Sequence, residues 1–93
     1  MATPVNIPTA LRAYTNQQGE VSIDGATVGE ILNNLAESFP QLKKHIYDDA
    51  GKLRSFVNVY LNDDDIRYLQ KSDTEVNDGD TISIVPSIAG GAI

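Results

Sequence analysis

The sequence predicts an α+β roll, a four- or five-stranded sheet with one main helix packed on one face. Three observations lead there. Several short runs alternate apolar and polar residues at a period of two. A single segment, "TVGEILNNLAESFP", carries its apolar residues at helical spacing. Gly, Pro and Asp punctuate the ends of these runs.

The elements follow in chain order. "VNIP" is a short extended stretch with Val5 and Ile7 on one side, and Pro8 suits its end. "EVSID" is a second strand, with Val21 and Ile23 on one face. Between them Asn16, Gln17, Gln18 and Gly19 read as a hairpin loop. Thr27 with Glu30 three residues later forms a capping box, which starts the helix. Val28, Ile31, Leu32, Leu35 and Phe39 form its apolar stripe, and Pro40 stops it near Ser38. "LKKHIYDDAGKLR" is ambiguous between a helical turn and a loop. "FVNVYLN" is the strongest strand, with Val57, Val59 and Leu61 inward. "NDDD" is a turn, and "IRYL" fits a short strand. Asp78-Gly79 turns the chain into a strand over 81–85 with Ile82 and Ile84 inward. The predicted core combines these inward residues with the helical stripe. The other face of the sheet is open and carries Asn58, Tyr60, Ser83 and Val85.

The chain has 93 residues, 41% of them apolar, which suits one domain with a modest core. Residues 1–86 are expected to fold, and 87–93 to form a flexible C-terminal tail. No apolar run is long enough to span a bilayer, and the N-terminus lacks the regions of a secretory signal. There is no cysteine, so disulfides, thiolate metal sites and cysteine nucleophiles are excluded. These features fit a cytoplasmic protein. The net charge of −6 opposes binding to nucleic acid and favours basic protein surfaces.

Little in the chain suits catalysis. His45 is the single histidine. Ser38 and Asp48 are near it in sequence, but nothing in the pattern joins the three, and a surface histidine is the simpler reading. "NDDD" lacks the twelve-residue pattern of a calcium loop. Gly90-Gly91 cannot cradle a phosphate, because no helix follows them. No metal and no cofactor is expected.

The tail "SIAGGAI" is the distinctive feature. A stretch without side chains can thread a channel in which a Cβ would clash, and at its end a free carboxylate can be adenylated by ATP. The chain is then a substrate or carrier for partner enzymes. A frayed terminus is the plain alternative.

"IPTALRAYT", "TVGEILNNLAESFPQL", "FVNVYLNDDDIRYL" and "VNDGDTISIVPSIAGG", in this order and spacing, resemble the ubiquitin-like β-grasp sulfur carriers of the ThiS/MoaD family, most closely its CysO branch. The resemblance covers nearly the whole chain. It implies a β-grasp (ubiquitin-like) roll with a mixed sheet and a carrier rather than an enzyme. An E1-like adenylating enzyme of the MoeB/ThiF type would activate the Gly91 carboxylate with ATP and magnesium. Sulfur transfer would then make a thiocarboxylate, which a sulfur-accepting synthase consumes, for cysteine biosynthesis in the CysO branch. Molybdopterin, thiamin and tRNA thiolation draw on related carriers, and a protein modifier would use the same glycine. Gly90 gives the tail reach. Tyr60 and Val85 would lie exposed on the partner face, and Arg12 matches a basic position near the tail's root. Ala92-Ile93 follow Gly91, so its carbonyl is held in a peptide bond. Removal of these residues by a JAMM-type zinc metalloprotease, cutting between Gly91 and Ala92, would expose it. Neither nucleic acid nor membrane is among the expected partners.

Overall fold

A computed structural model describes residues 2–54 and 57–86. Five strands form one mixed sheet: β1 (Ala2–Asn6), β2 (Glu20–Asp24), β3 (Val57–Leu61), β4 (Asp64–Asp65) and β5 (Ile82–Pro86), in spatial order β2-β1-β5-β3-β4. All neighbours are antiparallel except β1 and β5, which run parallel through Val5–Ile82 and Asn6–Ser83. Pro4 is tolerated in the interior strand β1 because β5 pairs with it only from Val5 onward.

Helix α1 (Val28–Ser38) has the bounds its cap and proline dictate. The Glu30 N–H donates to Thr27 Oγ1 at 3.2 Å, and Glu30 Oε1 accepts from the Ala26 N–H at 3.1 Å. The returning bond thus lands one residue earlier than in the standard capping box. Val28, Ile31, Leu32 and Leu35 are fully buried against the sheet. They meet Val5, Val21, Ile23, Val59, Ile82 and Ile84, all from the inward parity of the strands. Every residue of the predicted core is buried except Phe39, which is partly buried at the junction with α2's first residue.

Three segments differ from expectation. A second helix, α2 (Pro40–Ile46), follows α1 directly, so the sheet is covered by more than one helix. Pro40 ends α1 and then occupies the first turn of α2, where its missing N–H costs nothing. Leu42 and Ile46 anchor this helix in the core. "IRYL" is no strand: Ile66–Tyr68 is a 3₁₀ turn. Asp65 caps it by accepting the Arg67 N–H at 2.9 Å, and Ile66 turns inward. The link between β1 and β2 is also more than a loop, since Thr9–Tyr14 forms a 3₁₀ helix that buries Leu11.

The β3–β4 turn is fixed to the start of β5. Asn62 adopts φ 57°, in the left-handed region that asparagine tolerates. Its N–H donates to the Thr81 carbonyl at 2.7 Å, and its Oδ1 accepts from the Thr81 N–H at 3.0 Å. Its amide also donates to Asp80 Oδ1 at 3.1 Å.

Candidate functional site

The uncovered face of the sheet and the end of β5 form the candidate site. Alternation along β3 and β5 sends Val57, Val59, Ile82 and Ile84 to the helices and leaves Asn58, Tyr60, Ser83 and Val85 on the other side. Tyr60 is registered opposite Ser83, and Asn58 opposite Val85. Tyr60 and Val85 are therefore diagonal neighbours on one face, about 7–8 Å apart between backbones. Asn6 continues the surface on β1, its amide donating to Ser83 Oγ at 3.1 Å.

Val85 is 44% exposed, which leaves an apolar side chain in water at the exit of the last strand. Tyr60 is half-buried rather than exposed, because β3 has β5 on one side and β4 on the other. Two further apolar residues were not anticipated. Tyr68 is 85% exposed and Leu69 40%. Both border a shallow hollow that Tyr60 also lines, together with Arg67 and the acidic turn at Asp63 and Asp64. Reading "IRYL" as a strand hid them, since alternation would have turned one of them inward. The usable signal was Asp65 followed by Arg67, a local cap that favours a turn.

Arg12 stands on the 3₁₀ helix after β1. Because β1 and β5 are parallel, that helix lies at the same end of the sheet as the exit of β5. The guanidinium is held in place, with Nε donating to the Ile7 carbonyl at 3.0 Å. It packs over Gly19, where a Cβ would come within 2.9 Å of the guanidinium carbon. Gly90, Gly91 and Ala92 lie outside the described residues.

Of the residues considered for catalysis, Ser38 is exposed at the end of α1, and the other two have structural engagements. The His45 ring stacks on Tyr14, with centroids 4.2 Å apart, and links α2 to the first 3₁₀ helix. Asp48 Oδ1 accepts the N–H groups of Ala50 and Lys52 at 2.9 and 3.0 Å. The Lys52 N–H, followed by the other loop donor and nearby cations, holds the Asp48 carboxyl below the usual range. Among the described residues no group of three or more His, Cys, Asp or Glu is placed to hold a metal ion, and no helix is long and apolar enough to cross a membrane.

Comparison with known proteins covers the same ground. The sequence model of the ThiS family matches residues 5–91. The sulfur carrier protein CysO of Mycobacterium tuberculosis is 39% identical, over 98% of this chain and 100% of its own length. The crystal structure of the Amycolatopsis orientalis BexX/CysO complex contains a chain that superimposes with a TM-score of 0.85 at 41% identity, over 97% of this chain and 100% of that one. The small archaeal modifier protein 1 of Methanosarcina acetivorans gives a TM-score of 0.87 at 27% identity, over 97% and 96% of the two chains. The fold is thus the ubiquitin-like β-grasp.

Proposed function

The chain belongs to the ThiS family, and from that premise we propose that it is a sulfur carrier whose working group is the Gly91 carboxylate. The observation that carries this reading is the extent of the family match. It runs from β1 through Gly91 and takes in Gly90-Gly91 beyond the last strand.

The chemistry belongs to partners, and the chain is their substrate. Hydrolysis of the Gly91–Ala92 peptide bond, by a JAMM-type metalloprotease, frees the carboxylate. An E1-like enzyme joins that carboxylate to the α-phosphate of ATP and releases pyrophosphate. Hydrosulfide attacks the acyl carbon, AMP leaves with the bonding pair, and loss of the S–H proton leaves a thiocarboxylate. A synthase then takes the sulfur, for cysteine biosynthesis on the likeness to CysO. Gly90 and Gly91 suit the narrow approach because neither carries a Cβ. Val85 and Tyr60 form the docking face, which the exposure of Val85 supports. Arg12, fixed at the same end, contributes positive charge beside the tail's root. The carrier works in the cytoplasm.

The test compares three proteins in ATP–pyrophosphate exchange with the cognate adenylating enzyme. The full-length chain is inert, and the chain truncated after Gly91 is active. Gly91→Ala in the truncated form loses on the order of 100-fold, because an added Cβ misplaces the carboxylate. Exchange by uncleaved full-length protein equal to that of the truncated form defeats the masking role of Ala92-Ile93. No exchange by either form defeats the carrier reading.

Likeness to a small archaeal modifier protein favours one second reading, attachment of Gly91 to lysines of other proteins. Mass spectrometry of cell extract separates the two. A free thiocarboxylate marks the carrier, and Gly-Gly remnants on lysine mark the modifier.

A further inference from the structure

Two of the seven glycines follow an aspartate, at Asp24-Gly25 and Asp78-Gly79, and none follows an asparagine. In an Asp-Gly pair the aspartyl carboxyl can close onto the main chain with least hindrance, because glycine puts no side chain beside its nitrogen. The fold treats the two sites in opposite ways. At Asp24-Gly25 the backbone is locked. Asp24 ends β2 paired with Ala2, and its carbonyl accepts from the Asn34 amide at 2.8 Å. A Cβ at Gly25 would lie 2.5 Å from Ile31 Cγ1. At Asp78-Gly79 only the flanks are held. The Asp80 N–H donates to the Asn77 carbonyl at 3.1 Å, and the Asn77 N–H donates to Asp80 Oδ2 at 2.8 Å. Asp78 and Gly79 stand exposed between them, and a Cβ at Gly79 would meet nothing within 4 Å. Among the described residues neither the Asp78 carboxylate nor the Gly79 N–H has a hydrogen-bond partner.

The geometry points to Asp78 as a site of spontaneous isomerisation, in which its carboxyl closes onto the Gly79 nitrogen. Gly79 has φ 87°, as the third residue of a type II turn requires. Because glycine also accepts negative φ, the Asp78–Gly79 peptide plane can flip between turn types while Asn77 and Asp80 stay in place. The flip sweeps the Gly79 nitrogen past the Asp78 carboxyl carbon. The nitrogen bonds to Cγ and gives up its proton, the carboxyl gives up its hydroxyl, and one water departs to leave a cyclic imide. Water then reopens the ring. Attack at Cγ restores aspartate. Attack at the main-chain carbonyl carbon gives isoaspartate, with the chain running on through Cβ and Cγ. The composition is unchanged, and nothing is oxidised or reduced. The product carries an extra main-chain carbon between Asn77 and Asp80, so the turn bond and the Asp80 carboxylate fall out of place. That carboxylate accepts from the Asn62 amide, and Asn62 also holds Thr81 at the start of β5. Isomerisation therefore loosens the entry to the central strand.

The experiment ages the full-length chain for several weeks in warm, mildly acidic buffer. Isoaspartate is counted by methyl incorporation with an isoaspartyl methyltransferase and located by electron-transfer fragmentation of peptides. In the folded chain it is expected at residue 78, and at least about tenfold less at residue 24, because a locked backbone withholds the required geometry. In urea the two sites converge. Asp78→Glu keeps the charge at an exposed position but would have to close a larger ring, so methyl incorporation falls to the level of the other sites. Circular dichroism checks that this variant folds. The isoaspartyl form, separated by ion exchange, melts at a lower temperature than the unaged chain. Absence of isoaspartate from residue 78 overturns the proposal, as do equal amounts at residues 24 and 78 in the folded chain or unchanged incorporation in folded Asp78→Glu. Isoaspartate at residue 77, with the mass gain of deamidation, also overturns it, because the reacting side chain is then Asn77. An isoaspartyl form that melts like the unaged chain overturns the consequence for β5.

Discussion

Val5 and Ile82 face each other across the parallel pair of β1 and β5, and neither exposes any surface to solvent. This contact joins the strand that opens the fold to the strand that ends it. It also sets the direction of β5, and with it the end of the sheet at which the chain leaves.

Truncating the core tests this arrangement. Leu35 on α1 and Ile82 on β5 are both fully buried in the same cluster. Leu35→Ala and Ile82→Ala should each cost about 2–5 kcal/mol by leaving a cavity. Urea denaturation followed by circular dichroism measures the loss. Native-like stability of either variant would contradict the packing described.

Gly29 offers a test in which two effects oppose. Ala is a better helix former than Gly by about 1 kcal/mol. A Cβ at Gly29, however, would lie 2.8 Å from Ser72 Cβ and 3.0 Å from the Ser72 carbonyl oxygen. Backbone at that distance cannot swing aside, and overpacking costs about 1–3 kcal/mol. Gly29→Ala should therefore lower the melting temperature, while Asn33→Ala, on the exposed side of the same helix, should not.

Three carboxylates make the fold acid-sensitive. Asp65 is held below its usual range chiefly by the Arg67 side chain, and Asp80 chiefly by the Asn77 N–H and then the Asn62 amide. Asp48 is lowered by its loop. A lowered folded value means that the stabilisation is present above the unfolded value of about 3.9 and is lost as pH falls through the folded one. Stability measured by urea denaturation should thus decline below about pH 4. Asp80→Asn should make that decline shallower, and an unchanged profile would remove Asp80 from the account.

Val85→Asp should leave the fold intact, because the side chain is 44% exposed in the free chain. At a partner interface the same carboxylate would be desolvated without a counter-charge, a cost of about 2–5 kcal/mol. Affinity for the proposed adenylating enzyme, measured by calorimetry on the chain truncated after Gly91, should fall accordingly. Unchanged affinity in the folded variant would remove this face from the docking surface.

The legible parts of the fold were those where one signal stood alone. Thr27, Glu30 and Pro40 bounded α1 to the residue, and period-two alternation placed Val57, Val59, Ile82 and Ile84 correctly. Short apolar runs defeated the reading where two signals competed. Pro40 reads as a stop, yet it both ends one helix and begins another. "IRYL" is rich in strand formers, yet the cap at Asp65 and the burial of Ile66 decided for a turn. Of the candidate site, the open face was readable from parity. The exposure of Tyr68 and Leu69 was not, because it follows from the turn capped by Asp65 and not from any alternation.

The place of β5 sets the timing of assembly. It lies at the centre of the sheet, between β1 and β3, but follows both in the chain. Until it emerges from the ribosome the nascent polypeptide holds only two separated strand pairs, β1 with β2 and β3 with β4. The apolar faces of those pairs wait for the strand that unites them. Local helix formation in α1 can begin earlier, but its N-terminus is also stitched forward, the Val28 N–H donating to the Thr74 carbonyl at 3.0 Å. Folding is consequently a late, all-or-none event in synthesis. A ribosome that stalls before Ile82 releases a chain with unpaired edges and bare apolar surface, the marks by which proteases and chaperones sort their clients. A chain that has folded has already been translated through the whole of β5.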